Sequence, residues 1–98
     1  MATAGIIWRM RRRAVPMLSL QYFARYRETL GMEGERLEWR DGFNCLDAVR
    51  QQLIARGGVW LVLAEQNLMC ARNQELCSLS EPLCDGDEVA FFPTVTGG

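Results

Sequence analysis

A single segment of this 98-residue chain carries the apolar spacing of a long helix, and this limits the possible folds more than any other feature. Between residues 45 and 56, apolar side chains recur at the i, i+3, i+7, i+8 spacing that places them on one helix face. The side chains of this stripe are Leu46, Val49, Leu53 and Ile54. One helix with one apolar stripe covers one side of a sheet, so the rest of the chain must supply that sheet.

Polar residues complete the predicted helix. Asn44 is placed to cap its start, because an amide oxygen can accept a hydrogen bond from the first free backbone N–H groups. Gly57 and Gly58 follow its end, where a left-handed residue is common. Arg50 falls on the side opposite the apolar stripe, so we expect it to face solvent.

Strand-like segments lie on both sides of the helix. They alternate apolar and polar residues or sit between turn signals, and a short helical turn over residues 24–30 ends at Gly31. The predicted strands are 18–23, 35–40, 68–72, 75–77 and 88–92. Strands at both ends of the chain can pair at the centre of the sheet through a right-handed crossover. The sequence therefore predicts one α+β domain over residues 17–93, a β-grasp with a mixed sheet of about five strands covered by one main helix.

The alternation also predicts a second, outward face of the sheet. Leu20, Tyr22, Val89 and Phe91 are assigned to the helix-covered core, which directs Phe23 and Phe92 to the opposite face. Leu76 on the short fourth strand is expected to join them. Exposed apolar side chains that cluster in this way are typical of a partner-binding surface, although burial under loops would be an ordinary alternative.

Composition excludes several kinds of chemistry. The chain has no histidine and no lysine, which removes Ser-His and Cys-His nucleophile pairs and lysine Schiff bases. The four cysteines, Cys45, Cys70, Cys77 and Cys84, form no C-x-x-C pair, and their spacing does not resemble a zinc site. A cysteine enzyme centred on Cys45 would lack a histidine base. We expect no bound cofactor or metal, and free thiols indicate a reducing, cytoplasmic compartment.

Residues 1–16 differ from the rest of the chain, with four arginines and no acid. A targeting peptide and a nucleic-acid-binding arm are possible interpretations, but we favour an extension ahead of a natural start at Met17. From Met17 onward, seven arginines stand against twelve acids, a net charge of −5. This charge points toward a basic protein surface rather than nucleic acid. No segment has the ~20 apolar residues of a membrane span.

The chain ends in Pro93-Thr94-Val95-Thr96-Gly97-Gly98. Glycine lacks a side chain, so such an end can enter a narrow channel and present an unhindered carboxylate at Gly98. A frayed terminus would also suit glycine. We predict that residues 94–98 form a flexible tail whose terminal carboxylate is the reactive group.

The sequence leading into this tail resembles the small subunits of molybdopterin synthase, which are ubiquitin-like sulfur carriers. The resemblance is most specific over residues 85–98, DGDEVAFFPTVTGG, and extends to residues 20–28, 71–74 and 82–83. It covers the chain from Met17 to Gly98. Two features depart from the family pattern: Thr94 stands where a second proline is usual, and residues 1–16 have no counterpart.

The resemblance implies a mechanism. An activating enzyme would use ATP to adenylate Gly98, and a sulfur donor protein would convert the adenylate to a thiocarboxylate. The tail would then enter the large subunit of molybdopterin synthase and donate sulfur to the cyclic pterin precursor within a heterotetramer. The chain alone would catalyse nothing. Two alternatives stay open: a sulfur carrier of another pathway, such as thiamine synthesis, and a ubiquitin-like protein modifier or interaction module.

Overall fold

A computed structural model describes residues 15–94 of the chain. Its strands are β1 (Met17–Tyr22), β2 (Gly34–Glu38), β3 (Met69–Arg72), β4 (Glu75–Cys77) and β5 (Glu88–Phe92). Its helices are α1 (Arg25–Leu30), α2 (Leu46–Ile54) and a 3-10 helix (Gly58–Ala64). The predicted extension, apart from Val15 and Pro16, and tail residues 95–98 lie outside the described residues, so their boundaries stay predictions.

The five strands form one mixed sheet in the order β2-β1-β5-β3-β4. The first and last strands pair in parallel at its centre, with Ser19 opposite Glu88 and Tyr22 opposite Phe91. All other neighbours are antiparallel. This is the predicted β-grasp, in which the first and last strands of the chain are inner neighbours of the sheet.

The core lies between the sheet and α2. Every second residue of β1 and β5 is buried on that side, and three residues of the α2 stripe are fully buried against them. The fully buried side chains include Leu18, Leu46, Val49, Leu53, Val89 and Phe91. Ile54, the fourth predicted member of the stripe, is only partly buried. α1 adds Tyr26 and Leu30 to the core and ends at Gly31, whose φ of 74° is the left-handed cap expected there.

The start of α2 differs from the prediction. Asn44 does not cap the helix; Cys45 occupies the cap position in extended conformation and makes no side-chain cap hydrogen bond. The N–H groups of Leu46 and Asp47 instead donate to the carbonyl oxygens of Glu81 and Leu79, at 3.1 and 2.9 Å. A loop from a distant part of the sequence thus takes the role that a local side chain usually fills.

Arg50 also differs from the prediction, because its side chain is only 12% exposed. Its guanidinium donates to the carbonyl oxygens of Leu63 at 2.7 Å and Glu65 at 3.3 Å, and to the Asp47 carboxylate at 3.0 Å. The two carbonyl acceptors lie at the end of the 3-10 helix, where backbone carbonyls lack helical partners. Arg50 therefore fastens α2 to the 3-10 helix.

The segment that follows α2 could not be assigned from its pattern, and it forms the 3-10 helix. Gly57 and Gly58 adopt left-handed φ values of 77° and 57° and turn the chain between the two helices, after a C-cap at Ala55. Leu63 is fully buried, whereas Val59 and Leu61 are more than half exposed. No helix within residues 15–94 is long and apolar enough to cross a membrane.

Candidate functional site

The root of the predicted tail continues directly from the central strand β5. Pro93 is buried, and the Thr94 hydroxyl donates a hydrogen bond to the Asn67 carbonyl oxygen. The chain beyond this point therefore starts from a fixed position on the domain. Val95, Thr96, Gly97 and Gly98 lie outside the described residues, so their predicted roles stay predictions.

An apolar groove lies beside this root, on the sheet face opposite α2. Its cavity volume is about 510 Å³. It brings together the three residues predicted to bind a partner: Phe23, Leu76 and Phe92. The Phe23 and Phe92 rings meet edge to face, with centroids 6.5 Å apart and planes at 76°. This geometry is favourable for aromatic pairs and fixes both rings at one end of the groove.

The groove spans three adjacent strands and the end of a fourth. Phe92 belongs to β5, Leu76 belongs to β4, and β3 lies between them. Phe23 lies one residue beyond the end of β1, although the sequence predicted a strand that included it. Ala24 next to it has a φ of 54°, and this left-handed residue turns the chain away from the sheet. Phe23 is consequently left 44% exposed at the groove's edge.

Two small side chains form the floor of the groove, and the sequence reading did not single them out. Ala71 of β3 and Ala90 of β5 are direct cross-strand partners, and Ala71 also lies opposite Leu76. Larger residues here would fill the space between Leu76 and the two phenylalanines. The signal was present in the alternation of β5, where Glu88, Ala90 and Phe92 share one face.

The rim of the groove is polar and carries negative charge. Glu88 and Gln21 both line it, and the Gln21 amide donates a hydrogen bond to the Glu88 carboxylate. Leu76 at the opposite side is 67% exposed. An apolar floor with an acidic edge suits a protein partner that offers apolar and basic side chains.

A buried carboxylate at the other end of β5 holds the strand in place, and this residue was also missed. Asp87 accepts hydrogen bonds from the Arg72 guanidinium at 2.8 Å, the Asn73 amide at 3.0 Å and the Cys84 N–H at 2.8 Å. Burial alone would raise the pKa of Asp87, but these hydrogen bonds outweigh it and hold the pKa below its ordinary value.

The cysteines do not form a catalytic or metal centre in the part of the chain that the structure describes. All four are free thiols, and no group of three potential metal ligands occurs among these residues. Cys45 is half-buried at the start of α2 and pairs through a β-bridge with Pro82. Burial raises the pKa of the Cys70 thiol to about 12. Cys70 therefore resembles a packing residue, not an activated nucleophile.

Comparison with known proteins decides the family, since a family model described as ThiS family matches residues 20–98. The chain belongs to the ThiS family. This confirms the resemblance found in the sequence. The chain is 43% identical over 83 residues to the molybdopterin synthase sulfur carrier subunit of Escherichia coli. That alignment covers 84% of this chain and 100% of the relative.

Solved structures of similar proteins confirm the ubiquitin-like fold of this ThiS-family chain. SAMP1 from Haloferax volcanii has a TM-score of 0.69 at 25% identity, covering 84% of this chain and 99% of that chain. A complex of subunits 1 and 2 of molybdopterin-converting factor from Helicobacter pylori contains a chain with a TM-score of 0.55 at 26% identity. This match covers 84% of this chain and 99% of that one.

Proposed function

We propose that this chain is the sulfur carrier subunit of molybdopterin synthase. The observation that carries the proposal is the 43% identity to a curated carrier subunit along that relative's whole length. The ThiS-family match supports it, because it extends through Gly98, the residue that would hold the sulfur. The folded domain then positions its own C-terminal carboxylate.

The proposed chemistry takes place at Gly98 in two activation steps. The carboxylate attacks ATP on an activating enzyme, which gives an acyl-adenylate and releases pyrophosphate. Sulfide-level sulfur from a donor protein then attacks the acyl carbon, displaces AMP and leaves a thiocarboxylate. Activation is needed because a carboxylate is a poor electrophile, and the chain has no histidine or lysine to assist. ATP is accordingly bound by the activating enzyme, and this chain holds no cofactor.

In the final step the thiocarboxylate sulfur bonds to a carbon of cyclic pyranopterin monophosphate, and water then cleaves the acyl–sulfur bond, which returns Gly98 as a carboxylate. Two such transfers build the molybdopterin dithiolene. The tail's length suits this delivery. Residues 94–98 would span about 17 Å if nearly extended at ~3.4 Å each. That reach is measured from Pro93, which is buried. If Thr94 keeps its hydrogen bond to Asn67, the four residues beyond it would reach about 14 Å at ~3.4 Å each. Holding sulfur beside its substrate makes the transfer effectively unimolecular.

We infer that the apolar groove docks the large subunit. The Helicobacter pylori complex supports a partner of this kind, since it joins subunits 1 and 2 of molybdopterin-converting factor. The groove borders Pro93, so a partner that covers it would also lie next to the emerging tail. Two copies of each subunit would form the proposed heterotetramer. The free thiols suit a cytoplasmic location.

The test is mass spectrometry of the C terminus after incubation with an activating enzyme, ATP and a sulfur donor. We expect a mass gain that corresponds to replacement of one oxygen by sulfur at Gly98, and conversion of the pterin precursor once the large subunit is added. A variant lacking Gly98 should show neither, while unfolding at the same temperature as wild type. Gly42→Ala, on an open surface, is the matched control and should behave as wild type. Conversion by the truncated chain would refute the proposal.

A protein modifier is the second candidate, favoured by the structural likeness to SAMP1, small archaeal modifier protein 1, of Haloferax volcanii. In that case the adenylated terminus would form an amide with a lysine of another protein. The same incubation distinguishes the two functions. A stable conjugate without sulfur incorporation would favour the modifier, and a thiocarboxylate favours the carrier.

A further inference from the structure

Two of the four cysteines face each other across the β3–β4 hairpin. Cys70 and Cys77 are direct cross-strand partners, one register step beyond the Ala71–Leu76 pair. Both side chains lie on the core side of the sheet, because Ala71 and Leu76 between them point into the groove. Cys70 is 2% exposed, whereas Cys77 is only partly buried against the core.

The hairpin turn fixes this pairing. Asn73 and Gln74 form a two-residue turn with φ values of 50° and 71°, and both left-handed values match the turn type that favours a tight hairpin. Residues directly opposite each other in an antiparallel pair have Cα atoms about 4.5–5.5 Å apart. A disulfide requires roughly 4.4–6.8 Å, so the backbone already places the pair within bonding range.

The Cys70 side chain also contacts its partner residue directly. Its thiol donates to the Cys77 carbonyl oxygen at 3.3 Å. Cys45 and Cys84 lack this relationship: Cys45 is bridged to Pro82, and Cys84 lies in an exposed loop between β4 and β5. Among the four cysteines, this pair alone occupies opposing positions of a strand ladder.

We propose that Cys70 and Cys77 form a reversible intramolecular disulfide, a modification site separate from the sulfur-carrying terminus. The oxidant is a low-molecular-weight disulfide. The Cys77 thiolate, the more accessible of the two, attacks one sulfur of the oxidant, forms a mixed disulfide and releases one thiol. The Cys70 thiolate then attacks the Cys77 sulfur, closes the bond and releases the second thiol, so two protein thiols are oxidised and one disulfide is reduced.

The disulfide would tie the edge strand β4 to β3 without blocking the groove. Leu76 stays on the opposite face of the sheet, so its position beside the groove would be fixed and its exposure kept. Burial raises the pKa of both thiols, so little thiolate is present at neutral pH and closure is slow. The exposed Cys84 would compete for the oxidant, and the experiment must remove it.

The test uses the full chain with Cys45→Ser and Cys84→Ser, oxidised by oxidised glutathione, then denatured, alkylated and digested with trypsin. Trypsin cuts after Arg56 and Arg72, which separates Cys70 in peptide 57–72 from Cys77 in peptide 73–98. We expect these two peptides to be joined, with a mass two hydrogen atoms below their sum, and to separate on reduction. The intact oxidised protein should remain a monomer.

A third substitution, Cys77→Ser, is the control and should abolish the joined peptides, since a partly exposed cysteine tolerates this change. Cys77→Ala provides a second form of the control if the serine variant folds poorly. The proposal is wrong if both peptides of the Cys70/Cys77 protein are recovered alkylated, or if each carries glutathione without a link. Joined peptides that arise only in a disulfide-linked dimer would also overturn it.

Discussion

Truncation of Leu76 gives the sharpest test of the groove as a docking surface. Leu76 is 67% exposed in the free chain. Complete burial of a leucine side chain contributes about 1.5–3 kcal/mol, so covering the exposed two-thirds would contribute about 1–2 kcal/mol. We therefore expect Leu76→Ala to raise the dissociation constant for the large subunit by about 5- to 30-fold.

The chain offers a matched control for this variant. Leu61 on the 3-10 helix is 58% exposed, yet it lies on the helical side of the domain, away from the groove. Leu61→Ala removes the same atoms from a comparably exposed site and should leave the affinity within about twofold. Isothermal titration with the purified large subunit measures both constants, and thermal unfolding checks that each variant remains folded.

The two variants together distinguish the loss of a docking contact from a general effect of removing an exposed leucine side chain. If Leu76→Ala binds as tightly as wild type, the partner does not cover the groove's β4 side and the assignment is refuted. If Leu61→Ala weakens binding equally, the partner contacts the helical face instead. Because both residues are exposed, neither change should alter the free energy of unfolding by more than about 0.5 kcal/mol.

Two further predictions concern stability. A Cβ at Gly34 would collide with the Leu20 carbonyl oxygen of the paired strand, so Gly34→Ala should lower the free energy of unfolding by about 1–3 kcal/mol. Gly42→Ala meets no atom within 4 Å, and chemical denaturation should find it within about 0.5 kcal/mol of wild type. Asp87→Asn removes a buried acceptor and should cost about 1–3 kcal/mol near neutral pH. Since the folded pKa of Asp87 is lowered, its contribution is complete above the unfolded pKa of about 3.9 and declines below it. Urea titrations should thus show the wild-type advantage shrinking below about pH 4; a constant difference would contradict this account.

The strands that carry the site could be predicted from the sequence because their patterns are local. Alternation in β1 and β5 has a period of two, and burial of every second residue follows from it directly. The same alternation directed Phe92 to the outer face. The groove's depth was not predictable in this way, because it depends on Ala71 and Ala90 meeting across strands.

The helix contacts could not be read from the sequence for a different reason. The position of Arg50 on a helical wheel predicts solvent exposure, but its long side chain reaches carbonyl oxygens of the 3-10 helix. The cap of α2 comes from Glu81 and Leu79, more than thirty residues away along the chain. Contacts of this kind depend on the tertiary arrangement, which no local pattern encodes.

The parallel pairing of β1 and β5 also determines where a fusion partner could be attached. Two parallel strands start at the same end of a sheet, so the beginning of β1 lies beside the beginning of β5. There the Met17 N–H donates to the Asp85 carboxylate. The root of the tail lies at the other end of the strands, one strand length away, or about 17 Å for five residues. A tag or fluorophore joined ahead of Met17 would therefore report on the domain from the side opposite the root of the tail, whereas any addition after Gly98 would block the carboxylate that we propose to carry sulfur.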